Sequence, residues 1–365
     1  MTLLLFIVGL AFLILGAEVL IRGASMIATA LGISPLIIGL TVVAFGTSSP
    51  ELAISINGAL SGQADIALGN IIGSNILNIL FILGLSALVI PLCVSQQLIR
   101  FDVPIMIGLS VAVLLLSLDQ VLSRFDGLLL IAGLVFYLSI LVVMSLRKRA
   151  QEKESGQNPE ENQASQGEIN WPVNIIMVVA GLALLVLGSR WFVDSAVRFA
   201  SYLGVSELII GLTVVAAGTS MPEAVTSVIA AIRGERDIAV GNAVGSNIFN
   251  LLCVLGISTV LAPSGIPVSE AVIGFDIPLM IAVAVACLPI FFTGGIINRW
   301  EGALFLSYYV AYTLYLVLNA TQHGLLPIFN DIMLYFIIPL TAVTIIVVVF
   351  QEVLGKSKRP SDQSH

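Results

Sequence analysis

Apolar residues run through this chain in long blocks, separated by short breaks of Gly, Pro and polar side chains. A helix that crosses the hydrocarbon core of a bilayer needs roughly 20 such residues. Strands of a membrane barrel would instead alternate over about ten residues. The blocks here are too long and too continuous for strands, so the pattern predicts helices. Eleven spans are expected, at 2–22, 34–60, 65–92, 100–118, 124–146, 171–193, 206–232, 237–262, 274–294, 299–319 and 330–351. The first block carries no Lys or Arg before Arg22 and is helix-length, so it is expected to be a retained span and not a cleaved signal peptide. One long hydrophilic stretch, Arg147–Asn170, is rich in Glu, Gln, Ser and Asn, and predicts a disordered linker.

The pattern also repeats. Ile37–Ser48, IIGLTVVAFGTS, matches Ile209–Ser220, IIGLTVVAAGTS, at 11 of 12 positions. Asp65–Ile79 matches Asp237–Leu251 at 10 of 15. Both pairs are offset by 172 residues. Five spans fit within that offset. Five is odd, so the second copy enters the membrane from the opposite side, as in many secondary transporters. The expected fold is therefore an all-α polytopic membrane protein with two inverted five-helix repeats and one extra C-terminal helix. Its parts are 1–146 (first repeat), 147–170 (linker), 171–319 (second repeat) and 320–365 (extra helix and basic tail).

Composition agrees with a membrane class. The 365 residues are 58% hydrophobic and 10% charged, where a soluble domain carries about 25% charged. The positive residues then orient the chain. With the N-terminus outside, the inside connections hold 12 of the 15 Lys and Arg and the outside ones hold Arg124, Arg190 and Arg198. The expected setting is a multi-pass protein of the cell's inner membrane, with its C-terminus in the cytoplasm. Nothing basic and aromatic suggests a nucleic-acid partner. Cys93, Cys253 and Cys287 lie in apolar runs without metal-type spacing and are expected to be small buried hydrophobes.

Only two of the 22 acids, Glu51 and Glu223, lie well inside apolar runs. A charge at that depth costs about 2.5–3.5 kcal/mol on insertion scales, so it needs a cavity, a partner or an ion. No Lys or Arg inside a span offers itself, which leaves a cation. Each Glu closes a Gly-Thr-Ser-x-Pro-Glu string, at Gly46–Glu51 and Gly218–Glu223. Pro removes a backbone donor and interrupts the helix. Carbonyls freed near Ala44, Thr47, Ala216 and Thr219 then become candidate ligands. In the next span Asn70, Ser74 and Asn78 share one helical stripe, repeated by Asn242, Ser246 and Asn250. Gly69, Gly73, Gly241 and Gly245 are expected to let these helices approach closely. All these donors are hard oxygens, which suit calcium, sodium or magnesium rather than zinc or copper. Other acids read as interfacial: Glu18 is expected to pair with Arg22, four residues on, and Asp102 and Asp276 to start helices.

These strings resemble the alpha repeats of the calcium/cation antiporter superfamily, which includes sodium/calcium exchangers. The resemblance covers the first ten spans and is closest to compact bacterial members. It implies that Glu51 and Glu223 bind the transported ions. It implies Thr47 and Thr219 as ligands through carbonyl and hydroxyl, Ser48, Ser220, Ser74 and Ser246 as completing sodium sites, and Asn78 and Asn250 at the centre. Several exchangers carry Asp at one central Asn position; this chain has Asn at both, and so one fewer carboxylate. The implied activity is calcium/cation antiport by alternating access. Sodium is the first coupling ion, protons the alternative, and a cation channel a remote one. The implied partners are inorganic cations and the lipid bilayer, with no cofactor. An intramembrane hydrolase is disfavoured, because the only histidines, His323 and His365, fall in a loop and the tail.

Overall fold

In hydrocarbon every backbone donor and acceptor must be satisfied within the segment, so long apolar runs become helices. The computed structural model, which describes residues 2–154, 170–210, 213–214, 216–292 and 294–343, is built almost wholly of them. Among the described residues nine helices are long and apolar enough to cross a membrane. Span 1 is Thr2–Leu31, span 3 Ala64–Val89, span 4 Leu98–Leu116, span 5 Arg124–Arg147 and span 6 Trp171–Tyr202. Span 8 is Arg236–Leu261, span 9 Val272–Phe292, span 10 Arg299–Ala320 and span 11 Leu326–Val343. Span 2 is a bent pair, Pro35–Thr47 and Ser49–Leu60, with 46° between its halves. Span 7 has its second half in Met221–Ile232, while residues 211, 212 and 215 of its first half lie outside the described residues.

Spans 3 and 8 form the centre: 78% and 83% of their apolar windows are buried, against 0–39% for the other single-helix spans. The bent second span packs on span 8. At Gly245 an added Cβ would sit 2.8 Å from Leu40 Cα, so no larger residue fits that crossing. Spans 1 and 6 pack along each other at the side. An added Cβ at Gly181 would lie 2.8 Å from Gly16 O, and the mate at Gly16 would lie 2.8 Å from Gly181 O. Small residues permit such backbone contact between membrane helices. Gly69 and Gly73 differ from this expectation, having no described atom within 4 Å of an added Cβ.

The inverted symmetry is visible in the connections. Strand β1 (Leu92–Cys93), after span 3, pairs antiparallel with β4 (Ile296–Ile297), before span 10. Strand β2 (Val121–Leu122), before span 5, pairs with β3 (Ile266–Pro267), after span 8. Each two-stranded ribbon therefore joins the two repeats, and exchanging the repeats turns one ribbon into the other. The π-helical turns follow the same rule: Asn78–Leu83 and Asn250–Val254 in spans 3 and 8, Leu98–Asp102 and Val272–Asp276 in spans 4 and 9.

Several expectations need correction. The helix of span 5 continues through Arg147 to Glu154, so the first part of the linker is helical; 155–169 and 344–365 lie outside the described residues. Its Arg-Lys-Arg-Ala stretch is a good helix former and simply extends the span. Cys93 is exposed on the β1 ribbon, whereas Cys253 and Cys287 are buried. Glu18 pairs with Arg233, at the end of span 7, and not with Arg22 on its own helix. Asp102 does precede a helix, but it is fully buried and accepts Tyr137 Oη at 3.0 Å and Gln97 Nε2 at 3.4 Å. Span 11 has no buried residue in its apolar window, and a cavity of about 730 Å³ separates it from spans 9 and 10.

Candidate cation site

Pro50 and Pro222 stand at the start of the second half-helices of spans 2 and 7. The missing N–H ends one helix and starts the next. The half-helices therefore begin where Glu51 and Glu223 turn inward, and their exposures are 0% and 1%. The carbonyls deprived of the i+4 donor are those of Gly46 and Gly218, since Pro50 and Pro222 lie four residues on. Gly218 O accepts the Ser189 hydroxyl instead, at 2.8 Å. Ala44 lies too early to be freed: its carbonyl accepts the Ser48 N–H at 3.0 Å. Ala216 starts the short helix Ala216–Gly218, four residues before Ser220, the mate of Ser48.

The two glutamates are held by the opposite repeats. Ser220 Oγ donates to Glu51 Oε1 at 2.7 Å, and Ser48 Oγ donates to Glu223 Oε1 at 3.0 Å. Ser74 Oγ lies 3.0 Å from Ser220 Oγ and 3.5 Å from Glu51 Oε1. Asn70 Nδ2 donates to Glu51 O (3.1 Å) and Ser55 Oγ (2.9 Å); its mate Asn242 donates to Glu223 O (3.2 Å) and Ser227 Oγ (2.9 Å). Each amide thus ties the inner end of one half-helix to the neighbouring full span. Their oxygens face the other repeat: Thr47 Oγ1 lies 3.1 Å from Asn242 Oδ1, and Thr219 Oγ1 lies 3.3 Å from Asn70 Oδ1. The Thr47 hydroxyl also lies 3.0 Å from Val43 O and 3.4 Å from Ala44 O, and its single proton serves one of the three.

At the centre Asn78 Nδ2 donates to Asn247 Oδ1 at 2.9 Å, and Asn250 Nδ2 donates to Asn75 Oδ1 at 3.0 Å. What these bonds leave over is telling. Glu51 Oε2, Glu223 Oε2, Asn78 Oδ1, Asn250 Oδ1 and Ser246 Oγ are buried with no hydrogen-bond partner among the described residues. Buried polar atoms are normally satisfied. These five buried oxygens, two of them on carboxylates and all on spans 2, 3, 7 and 8, form a donor set that a hard cation would complete.

The structure thus joins the polar residues singled out by the repeat strings, except Ser246, whose hydroxyl is buried without a hydrogen-bond partner among the described residues. Sequence reasoning gave Asn75 and Asn247 no site role and passed over Ser55 and Ser227, all four of which bind those residues, and Met106 and Met280 behind them. The internal repeat held a signal for the four polar ones. Asn75 and Asn247 match at the 172-residue offset, as do Ser55 and Ser227.

Comparison with known proteins gives the family and the fold. The protein-family description "sodium/calcium exchanger protein" matches residues 1–143 and 173–318. "Putative antiporter CaxA" of Alkalimonas amylolytica is 40% identical over 84% of this chain and 95% of its own length. "Inner membrane protein YrbG" of Escherichia coli is 37% identical over 78% of this chain and 87% of its own. "Sodium/calcium exchanger MaX1" of Methanosarcina acetivorans is 34% identical, over 85% and 96%. Among solved structures the sodium-calcium exchanger NCX_Mj superimposes with a TM-score of 0.71 at 28% identity, covering 85% of this chain and 96% of its own. The chain belongs to the sodium/calcium exchanger family, and is a multi-pass membrane protein built for cation antiport.

Proposed function

We propose that this protein exchanges calcium for sodium across the cell's inner membrane by alternating access. The observation that carries the reading is the pair of buried glutamates, each with one oxygen unpartnered, beside the unpartnered amide oxygens of Asn78 and Asn250. Two carboxylates balance one divalent ion. In this reading calcium takes the carboxylates, the central amide oxygens and the Thr47 and Thr219 carbonyls. Sodium ions compete for the same carboxylates with Ser48, Ser220, Ser74 and Ser246. An empty site keeps two uncompensated buried charges, which disfavours switching without ions and so enforces exchange. Spans 1 and 6 contact each other through glycines and form the element that slides against the buried core of spans 2, 3, 7 and 8. The 12-to-3 bias of positive residues supports an outside N-terminus and a cytoplasmic C-terminus.

The test is radiolabelled calcium uptake into proteoliposomes loaded with sodium, with potassium-loaded vesicles and an imposed pH gradient as comparisons. Uptake that requires internal sodium is the expected result. Uptake driven by the pH gradient alone would make the protein a calcium/proton antiporter. Glu51→Gln and Glu223→Gln are each expected to abolish uptake, and wild-type transport by either would overturn the site.

A further inference from the structure

The central amides raise a problem of chemistry. An asparagine side chain presents either an oxygen, which attracts a cation, or an NH2, which repels one. Something must fix which end of Asn78 and Asn250 faces inward. Behind them stand two methionines on spans 4 and 9, Met106 and Met280, exposed by 1% and 2%. Asn75 Nδ2 lies 3.4 Å from Met280 Sδ, and Asn247 Nδ2 lies 3.4 Å from Met106 Sδ.

We propose that Met280 is a positioning residue that orients the Asn250 amide through Asn75, and that Met106 acts likewise on Asn78 through Asn247. A thioether has no proton to give and only accepts. It therefore selects the NH2 end of its asparagine. That turns Asn75 Oδ1 the other way, where it accepts Asn250 Nδ2 at 3.0 Å. Asn250 then has its donor end occupied and its oxygen unpartnered. The same relay runs from Met106 through Asn247 to Asn78 at 2.9 Å. In each relay one flip forces the next, and in the Met280 relay a weak acceptor at the back decides whether an oxygen or an NH2 meets the ion. The inference rests on the reading that Asn78 and Asn250 face the transported cation, and it gives spans 4 and 9 a role in the site.

The two relays are not equal. Asn247 Nδ2 has a second acceptor, the backbone carbonyl of Asn75 at 3.2 Å. Among the described residues the Met280 sulfur is the acceptor for Asn75 Nδ2. Asn75 therefore depends on its methionine, while Asn247 has a substitute, and Met106 serves as the internal control.

Leucine is close to methionine in volume and removes the acceptor with little change in packing. Met280→Leu is expected to raise the KM for calcium about fivefold with little change in maximal rate, and Met106→Leu to raise it less than about twofold. The decisive comparison uses an Asn250→Asp background. A carboxylate accepts at both ends, so there Asn75 must turn its NH2 forward and its oxygen toward the sulfur. Met280→Leu removes that opposed contact and is expected to leave the KM unchanged or lower it. A methionine that mattered only for packing would cost the same in both backgrounds. Thermal unfolding in detergent without calcium or sodium gives a readout free of transport: Met280→Leu should lower the midpoint in the wild-type background and not in Asn250→Asp. Equal losses in both backgrounds, or a Met106→Leu effect as large as that of Met280→Leu, would overturn the relay. If the wild type moves no calcium under any gradient, the exchange reading fails, and the unfolding comparison alone decides this inference.

Discussion

Ser48 and Ser220 each reach a carboxylate that belongs to the other repeat. Such charge-assisted bonds fix where a negative oxygen sits, and each is worth about 1.5–3 kcal/mol. The Ser220 contact is the shorter, at 2.7 Å, and the Ser220 hydroxyl also lies against Ser74. Ser220→Ala is therefore expected to weaken calcium binding about tenfold or more, and Ser48→Ala to weaken it less. Sodium-driven calcium uptake over a calcium titration checks the order. A reversed order would show that the two carboxylates do not hold the ion in the way their serines suggest. At this scale the first ring of oxygens was legible in the sequence, because Thr, Ser, Asn and Glu at bilayer depth stand out from an apolar background. Asn75 and Asn247 were not, since an amide two residues after a glycine expected to pack helices is as easily a packing contact. Met106 and Met280 carry no polar signal at all, and their contacts join positions 205 and 141 residues apart. Only the folded chain brings them to their asparagines.

The break in span 2 is what aims Glu51 at the centre. The chain bends by 46° at Ser48, and Pro50 keeps the Gly46 carbonyl from bonding four residues on. Pro50→Ala restores a donor at that position and allows the two half-helices to run straight. The fold should tolerate this, because a continuous helix satisfies its backbone better. The site should not, because Ser48 and Glu51 flank the bend and would turn together. Folded protein of normal unfolding temperature that has lost most of its calcium uptake is the expected outcome. Retained uptake would mean that the bend is incidental. Breaks of this kind were legible, since Gly and Pro announce them locally. The π-helical turns beginning at Asn78 and Asn250 were not, because one extra residue per turn is selected by packing against the opposite repeat. The span ends were also blurred. Leu31, nine residues past the expected limit of span 1, is followed by Gly32 with φ +60°, which is where the helix actually stops.

Taken whole, the molecule is two interlocked repeats with one helix outside them. The family match ends at residue 318, every candidate ligand lies before it, and span 11 touches the rest mainly across a cavity. A chain stopped after Ala320 is therefore expected to keep its calcium affinity while unfolding at a lower temperature, since Thr341 no longer meets the Tyr308 hydroxyl at 2.7 Å. Loss of affinity with an intact fold would give span 11 a part in the site. The repeat architecture was the most legible feature of all, because two strings matching at a fixed offset with an odd number of spans between them force inversion.

The direction in which that inverted pair sits in the membrane rests on charge alone, and the structure supplies a probe for it. Cys93 is exposed, next to Arg236 at 3.3 Å, on the ribbon that joins the loops after span 3 and before span 10. Both loops fall on the side where Arg100, Arg233, Arg236 and Arg299 gather. Cys253 and Cys287 are buried and should stay silent. A maleimide that cannot cross the membrane is therefore expected to label the wild-type chain in inside-out vesicles and not in intact cells, with Cys93→Ser abolishing the signal. Labelling in intact cells would put the ribbon outside and reverse the topology. It would leave the cation site intact, because the pseudo-two-fold axis relates the two faces of that site to each other. Orientation sets which face meets the cytoplasm, whereas the candidate ligand oxygens are held by the contacts between the repeats.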